Sequence, residues 1–253
     1  MKKNLERLGD EVAQAWTVAV KDVRVYYFTP PMIMFGLLLP FFLFFSFSIK
    51  RSVPPQVGVA RLLALTSFFT ASSAGPVIIP LERRVGTYDR LLAAPMSLAT
   101  LLLGKALVGT FFAVLVSVVP LLVGVFWLRV PITDVGLLVV GLPLSSLAFS
   151  AFGLLFASLP ARSVGSIMMP STLIRWPLLF VSGVFVPLAE MAPWARVLSY
   201  LSPLTYTQDL MNHAVPDLGY LSPWLDLALL PLLTAGFLAV GACLHHRSRV
   251  VGY

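Results

Sequence analysis

Few residues of this chain could do covalent chemistry, and they stand in patterns that argue against it. Gly104-Lys105 lacks the upstream glycine and the following hydroxyl of a nucleotide-binding phosphate loop. No His-Glu-x-x-His zinc pattern occurs, and the histidines are His213, His245 and His246. Adjacent helical positions point about 100° apart, so 245 and 246 read as a basic tail rather than a metal pair. Asp134, Glu190, Asp209, Asp217 and Asp226 fall in connecting segments or at the edges of apolar runs. An intramembrane protease needs a buried acid pair or a Ser–His pair, and a proton-driven pump needs a titratable acid at mid-depth. Neither pattern is present. Two features remain: the charged stretch ERRVGTYDRLLAAP at 82–95, and Arg175 inside an apolar run.

The elements that must position them are membrane helices. Of the 253 residues, 58% are hydrophobic and only 11% charged, and the mean hydropathy is +0.90. Soluble domains carry about 25% charged residues, so the solvent for most of this chain is lipid. A helix needs about 20 apolar residues to cross ~30 Å of hydrocarbon. Six runs qualify, at about 32–49, 57–81, 98–128, 136–159, 164–182 and 224–245. The long third run carries Pro120 as a candidate kink. The fold class is an all-α polytopic membrane protein, with 32–253 as one transmembrane domain. The N-terminus shows no cleavable leader pattern. Cys243 alone precludes an internal disulfide.

Residues 1–31 form a separate unit. Over 4–28, Leu5, Leu8, Val12, Ala15, Trp16, Ala19, Val23 and Tyr26 fall on one stripe, with steps of three and four, and charges lie elsewhere. That pattern predicts an amphipathic helix lying in the membrane interface; the alternative is a soluble coiled-coil arm. With the N-terminus inside, eleven Lys and Arg fall on inner segments and four (Lys50, Arg51, Arg129, Arg196) on outer ones, which puts both termini in the cytoplasm. The net charge of +7 then reflects loops facing anionic lipid rather than nucleic acid. Lys105 is expected to snorkel to the inner face and Arg61 to the outer headgroups. Arg175 lies about 16 Å into its span, a depth from which snorkelling is strained, which favours a polar partner or cavity. Ser72, Ser73, Ala74 and Gly75, and Gly153 with Ala157, allow close helix approach. Trp127, Trp194 and Trp224 suit an outer interfacial belt.

Two connecting segments are unusual. Between the second and third spans, Gly86 permits a sharp turn, Thr87 can cap a short helix, and Asp89 sits near its positive end. Leu91 to Ala94 make an apolar knob, and Pro95 fixes the exit. Such a segment is either a docking element or a solvated loop with a helical turn. Between the fifth and sixth spans, 182–206 is apolar yet broken by Gly183, Pro187, Pro193 and Pro203. The sequence predicts a helical hairpin over 184–201 that dips into the outer leaflet and returns, its broken backbone satisfied by protein or water. A surface loop with interfacial helices is the alternative.

Linked motifs then narrow the class. Glu82, Gly86, Thr87, Leu91 and Leu92 with Pro95-Met96-Ser97 spell E-x-x-x-G-T-x-x-x-L-L and P-x-S. Ser182-Gly183-Val184-Phe185-Val186-Pro187 is followed by Tyr200-Leu201-Ser202-Pro203-Leu204-Thr205-Tyr206. In this order, over nearly the whole length, they resemble the permease subunits of type-2 ATP-binding-cassette (ABC) exporters. Many relatives place an arginine after the closing tyrosine, where this chain has Asn212 and His213.

The resemblance implies a permease that is not itself an enzyme, binds no cofactor, and works with two copies of a separate ATPase that holds ATP and Mg. It also implies a second permease copy, most simply a homodimer, in the plasma (inner) membrane. Coupling to the ATPase is expected at 82–97, through Glu82, Arg83, Gly86, Thr87, Asp89, Arg90, Leu91 and Leu92, and through Trp16 of the N-terminal helix. The hairpin and gate are expected at Gly183, Phe185, Pro187, Pro193, Pro203 and Tyr206. Phe41, Phe44, Phe45, Ser72 and Arg175 are candidates for a substrate path. Few fixed charges along such a path favour an amphipathic or apolar cargo, such as a drug-like compound, lipid or glycolipid. The competing readings are polysaccharide export, a secondary transporter or channel working without an ATPase, and a membrane enzyme.

Overall fold

The computed structural model describes residues 14, 17, 20–22, 34–48, 53–93, 97–159 and 163–250, and every regular element among them is helical. A π-helical turn, Met34–Leu38, runs into α1 (Leu39–Ser48). Next come α2 (Pro55–Arg84), α3 (Thr87–Ala93), α4 (Leu98–Leu122), α5 (Val135–Ala157) and α6 (Val164–Val181). After α6 follow a 3-10 turn, Leu188–Glu190, then α7 (Pro193–Ser199), α8 (Pro203–Ala214) and α9 (Pro223–Val250). Most of the expected N-terminal helix, with Trp16, lies outside the described residues, although 14, 17 and 20–22 are helical.

Among the described residues, five helical stretches are long and apolar enough to cross a membrane: Pro55–Arg84, Leu98–Trp127, Val135–Ala157, Val164–Val181 and Pro223–Leu244. The expected first span is described only over Met34–Ser48, which falls short of that length, so the count here is five rather than six. The other spans begin and end within a few residues of their expected places, except that α9 continues to Val250.

Local chemistry sets the helix starts. Ser97 Oγ accepts from the Thr100 N–H at 3.0 Å, Asp134 Oδ1 from Leu137 at 2.8 Å, and Ser163 Oγ from Ser166 at 3.2 Å. Each caps a backbone donor that the first helical turn leaves unpaired. Pro120 lies within α4, and the helix widens into a π segment, Val123–Trp127, three residues later. A missing proline N–H loosens the ladder at that point.

Helix α2 is the central post. Its apolar stretch is buried along its whole length, with α5, α4, α8 and α6 against it. Small residues make this close packing possible, as their spacing predicts. A Cβ added to Gly153 would lie 2.3 Å from the Ser72 carbonyl oxygen, and one on Gly75 would lie 3.0 Å from the Leu154 backbone. Phe68 of α2 meets Phe149 of α5 edge to face at 5.0 Å. The periphery is apolar instead of polar, with Phe42, Phe111, Phe126, Trp127, Trp194 and Trp224 exposed. A surface of this kind is stable only against lipid.

Because the Ser72 backbone cannot yield, Gly153→Val should lower stability by about 1–3 kcal/mol or abolish folding. Gly236→Ala, where an added Cβ meets open space, should leave stability unchanged. Thermal unfolding of the detergent-purified variants compares the two.

Candidate functional site

At the end of the bundle where α2 stops and α4 starts, four charged side chains meet, three of them buried and the fourth, Lys21, about one-third exposed. Glu82, in the last turn of α2, is fully buried, as is Asp22 of the N-terminal segment, and Lys105 of α4 is 4% exposed. Lys105 Nζ donates to Glu82 Oε2 at 2.5 Å and to Asp22 Oδ2 at 3.0 Å. Lys21 Nζ reaches Glu82 Oε1 at 2.5 Å and Asp22 Oδ1 at 2.8 Å. Two cations and two carboxylates cancel, and each carboxylate bridges both lysines. Burial pulls the Lys21 ammonium down, but hydrogen bonds and attraction from Asp22 and Glu82 outweigh it and hold its pKa above the ordinary value. A raised lysine pKa contributes stability below the ordinary 10.5 and loses it only as pH climbs through the folded value. Lys21 therefore keeps its charge at neutral pH.

This arrangement corrects two expectations. Lys105 does not snorkel toward an interface but is paired inside. Glu82 presents no surface to a partner protein and serves as an internal counter-ion. It also shows that a carboxylate does lie within a span, since Glu82 is part of the stretch Pro55–Arg84.

The link beyond Glu82 is built on the same end. Val85 and Gly86 form the turn, and Gly86 adopts φ +72°, a conformation that favours glycine. Thr87 is the first residue of α3, and its hydroxyl donates to the Glu82 carbonyl at 3.3 Å instead of capping the helix. Arg83 donates to the Leu159 carbonyl at 3.2 Å and lies 5.2 Å from the centre of the buried Tyr88 ring. Leu91 packs into the cluster of Ile79, Tyr88, Leu101 and Leu154. Arg84, Val85 and Arg90 remain exposed. The side chains of Asp89 and Leu92, and Pro95, lie outside the described residues.

The opposite end holds the gate candidates. Over 184–201 there is one 3-10 turn and one seven-residue helix. Gly183 turns the chain with φ +85°, Pro193 and Pro203 are the first residues of α7 and α8, and Pro187 precedes the 3-10 turn. Phe185 is buried with its ring 5.7 Å from Phe180, and the Tyr206 hydroxyl donates to the Tyr200 carbonyl at 2.6 Å. The broken backbone is satisfied by side chains that the motifs did not single out. Arg196 donates to the carbonyls of Leu188 at 2.9 Å, Ala189 at 3.0 Å and Met191 at 3.3 Å. Asp209 accepts from the backbone N–H groups of Tyr220 and Leu221 at 2.7 and 2.8 Å. Gln208, Asp209, Asn212 and Asp217 line an open cavity of about 350 Å³ there. Asp226, in the first turn of α9, is fully buried.

The path candidates fall in two separate places. Phe41 and Phe45 line a wholly apolar hollow of about 330 Å³ with Leu38, Phe42 and Val119, whereas Phe44 turns toward Gly58. Ser72 and Arg175 are buried together between α2 and α6. Arg175 donates to the Ser72 carbonyl, and to Ser73 Oγ at 3.1 Å. It thus has the polar partner that its depth requires.

A bundle of apolar helices with a lipid-type exterior and a charged, buried joint at one end defines a multi-pass membrane protein. The chain belongs to the ABC-2 type transporter family, whose match covers residues 13–215. It is similar to the "Probable multidrug ABC transporter permease YbhR" of Escherichia coli K12, 23% identical over 172 residues, or 66% of this chain and 46% of that protein. The protein of the same name from Escherichia coli O157:H7 matches to the same extent. The chain spans about half the length of these curated relatives.

Removing one member of a buried ion cluster strands its partners, at about 3–5 kcal/mol. Lys105→Gln should therefore destabilise strongly, as should Glu82→Gln, and the two combined should recover much of the loss by leaving the Lys21–Asp22 pair balanced. Unfolding midpoints of the two singles and the double measure that coupling.

Proposed function

We propose that this chain is the membrane permease of an ATP-driven ABC exporter, worked by a separate ATPase that docks at the end carrying α3. Membership of the ABC-2 type transporter family carries the reading, and the buried ion cluster supplies its mechanical sense. Helix α3 and its exposed neighbours Arg84, Val85 and Arg90 hang from a turn anchored to α2, α4 and the N-terminal segment. A push on α3 is passed to the start of α4 and the end of α2 through charges that cannot separate cheaply. ATP and Mg bind the partner, in two copies beneath two copies of this chain. The end carrying α3 then faces the cytoplasm of a cell with this chain in its inner membrane. The segment over 182–222 closes the outer side, with α7 in the outer leaflet as part of a re-entrant turn. The apolar hollow at Phe41 and Phe45 and the multidrug description of the similar Escherichia coli proteins favour an amphipathic cargo over a polysaccharide.

Affinity purification in mild detergent should recover a phosphate-loop ATPase at one copy per permease. Transport by the purified chain without ATP would overturn the reading. Gly86→Pro, which cannot hold φ +72°, should leave membrane insertion intact while cargo-stimulated ATP hydrolysis drops to the unstimulated rate.

A further inference from the structure

Helix α6 buries only Ile167, Ser171, Arg175 and Leu179, a single stripe four residues apart. Met168, Trp176 and Leu178 are half-buried against the core, and the opposite face looks outward, with Met169 78% and Leu173 73% exposed. The two inner members of that stripe are polar, and both are incompletely satisfied. Arg175 is 1% exposed, and among the described residues its Nε–H has no acceptor. Ser171 Oγ, one turn away on the same face, is buried without a partner among them. Among the described residues, no carboxylate pairs with Arg175. Its neighbours are a serine hydroxyl and a backbone carbonyl. This is the reverse of the Lys105 cluster, where each cation has its anions.

A guanidinium held in apolar surroundings with spare donors is matched by a planar or tetrahedral oxyanion, which it grips through two parallel hydrogen bonds. Pro170 and Pro177 bracket the stretch. Each removes a backbone hydrogen bond, so α6 can bend at both sides of the polar pair.

We propose that Arg175 and Ser171 form an anion site, closed here against Ser72 and Ser73, which opens when α6 leans away from α2 and selects an amphiphile carrying a phosphate or carboxylate. This deepens the transport reading above and rests on it for its purpose.

The site is read by binding alone, so its failure is distinct from failure to find a partner ATPase. The full chain is placed in nanodiscs of zwitterionic phosphatidylcholine. Fluorescent lysophosphatidic acid is compared with the monoacylglycerol of the same chain, from which it differs only by the phosphate. Losing charge-assisted hydrogen bonds costs about tenfold to hundredfold in affinity, so the wild type should prefer the phosphate probe by at least about tenfold. Arg175→Gln should bring that ratio close to one, Arg175→Lys should retain a preference, and Ser171→Ala should reduce it. Competition by phosphatidylglycerol built into the disc assigns the site to a lipid headgroup. Competition by the single-chain acid alone assigns it to a free amphiphile. Equal affinity of the wild type for both probes, or an unchanged ratio in Arg175→Gln, overturns the proposal. If Arg175→Gln fails to fold, the wild-type ratio and Ser171→Ala still decide it.

Discussion

A charge shut away from water must find its opposite or cost several kcal/mol, and that constraint organises one end of this molecule. Glu82 cannot be buried without Lys105 and Lys21, and Lys105 cannot be buried without Glu82 and Asp22. The four residues come from the N-terminal segment, α2 and α4, so their mutual need fixes how those three parts meet. Such a cluster adds little net stability over an apolar equivalent, but it penalises every rearrangement that would separate its members. It therefore gives the adjoining turn at Gly86 and the short α3 a firm base. An isolated seven-residue helix would not persist in water; here Tyr88 and Leu91 hold it to Ile79 and Leu101.

The same rule sorts the remaining polar groups by how completely they are matched. On α2, Ser67 and Ser72 return their hydroxyls to carbonyls of their own helix, at 3.0 and 2.5 Å, which lets a polar stretch pass through the core. Gly153 brings α5 against the backbone of Ser72. Arg175 enters from α6 and donates to the Ser72 carbonyl and to Ser73 Oγ, so the backbone of Ser72 meets both α5 and α6.

At the other end, the segment between α6 and α9 illustrates a different solution. Its pieces are too short to satisfy all of their own backbone groups, so side chains supply the missing partners. Arg196 satisfies three carbonyls of the 3-10 region, and Asp209 satisfies two N–H groups of the stretch before α9. Thr205 and Tyr206 at the start of α8 reach back to the Ser199 and Tyr200 carbonyls at 2.6 Å each. These residues surround an irregular segment and make it part of the packed body.

Much was legible in the sequence, because lipid imposes a rule that composition and length can express. Apolar runs of about 20 residues must be helices, and caps and prolines mark their ends, so five spans and the turn at Gly86 could be placed by reading alone. Linked motifs identified the family for the same reason: they record local backbone needs, such as the turn at Gly86 or the helix start at Pro203. What the sequence could not give is pairing across distance. Lys105 reads as a snorkelling residue and Glu82 as a docking one until the fold brings them together 23 positions apart, with Asp22 a further 60 away along the chain. Arg196 and Asp209 likewise carry no local signal, because the groups they satisfy belong to other turns of the chain. The environment of a charge is a property of the whole packed structure, and only the tertiary fold decided which charges stay exposed and which hold the protein together.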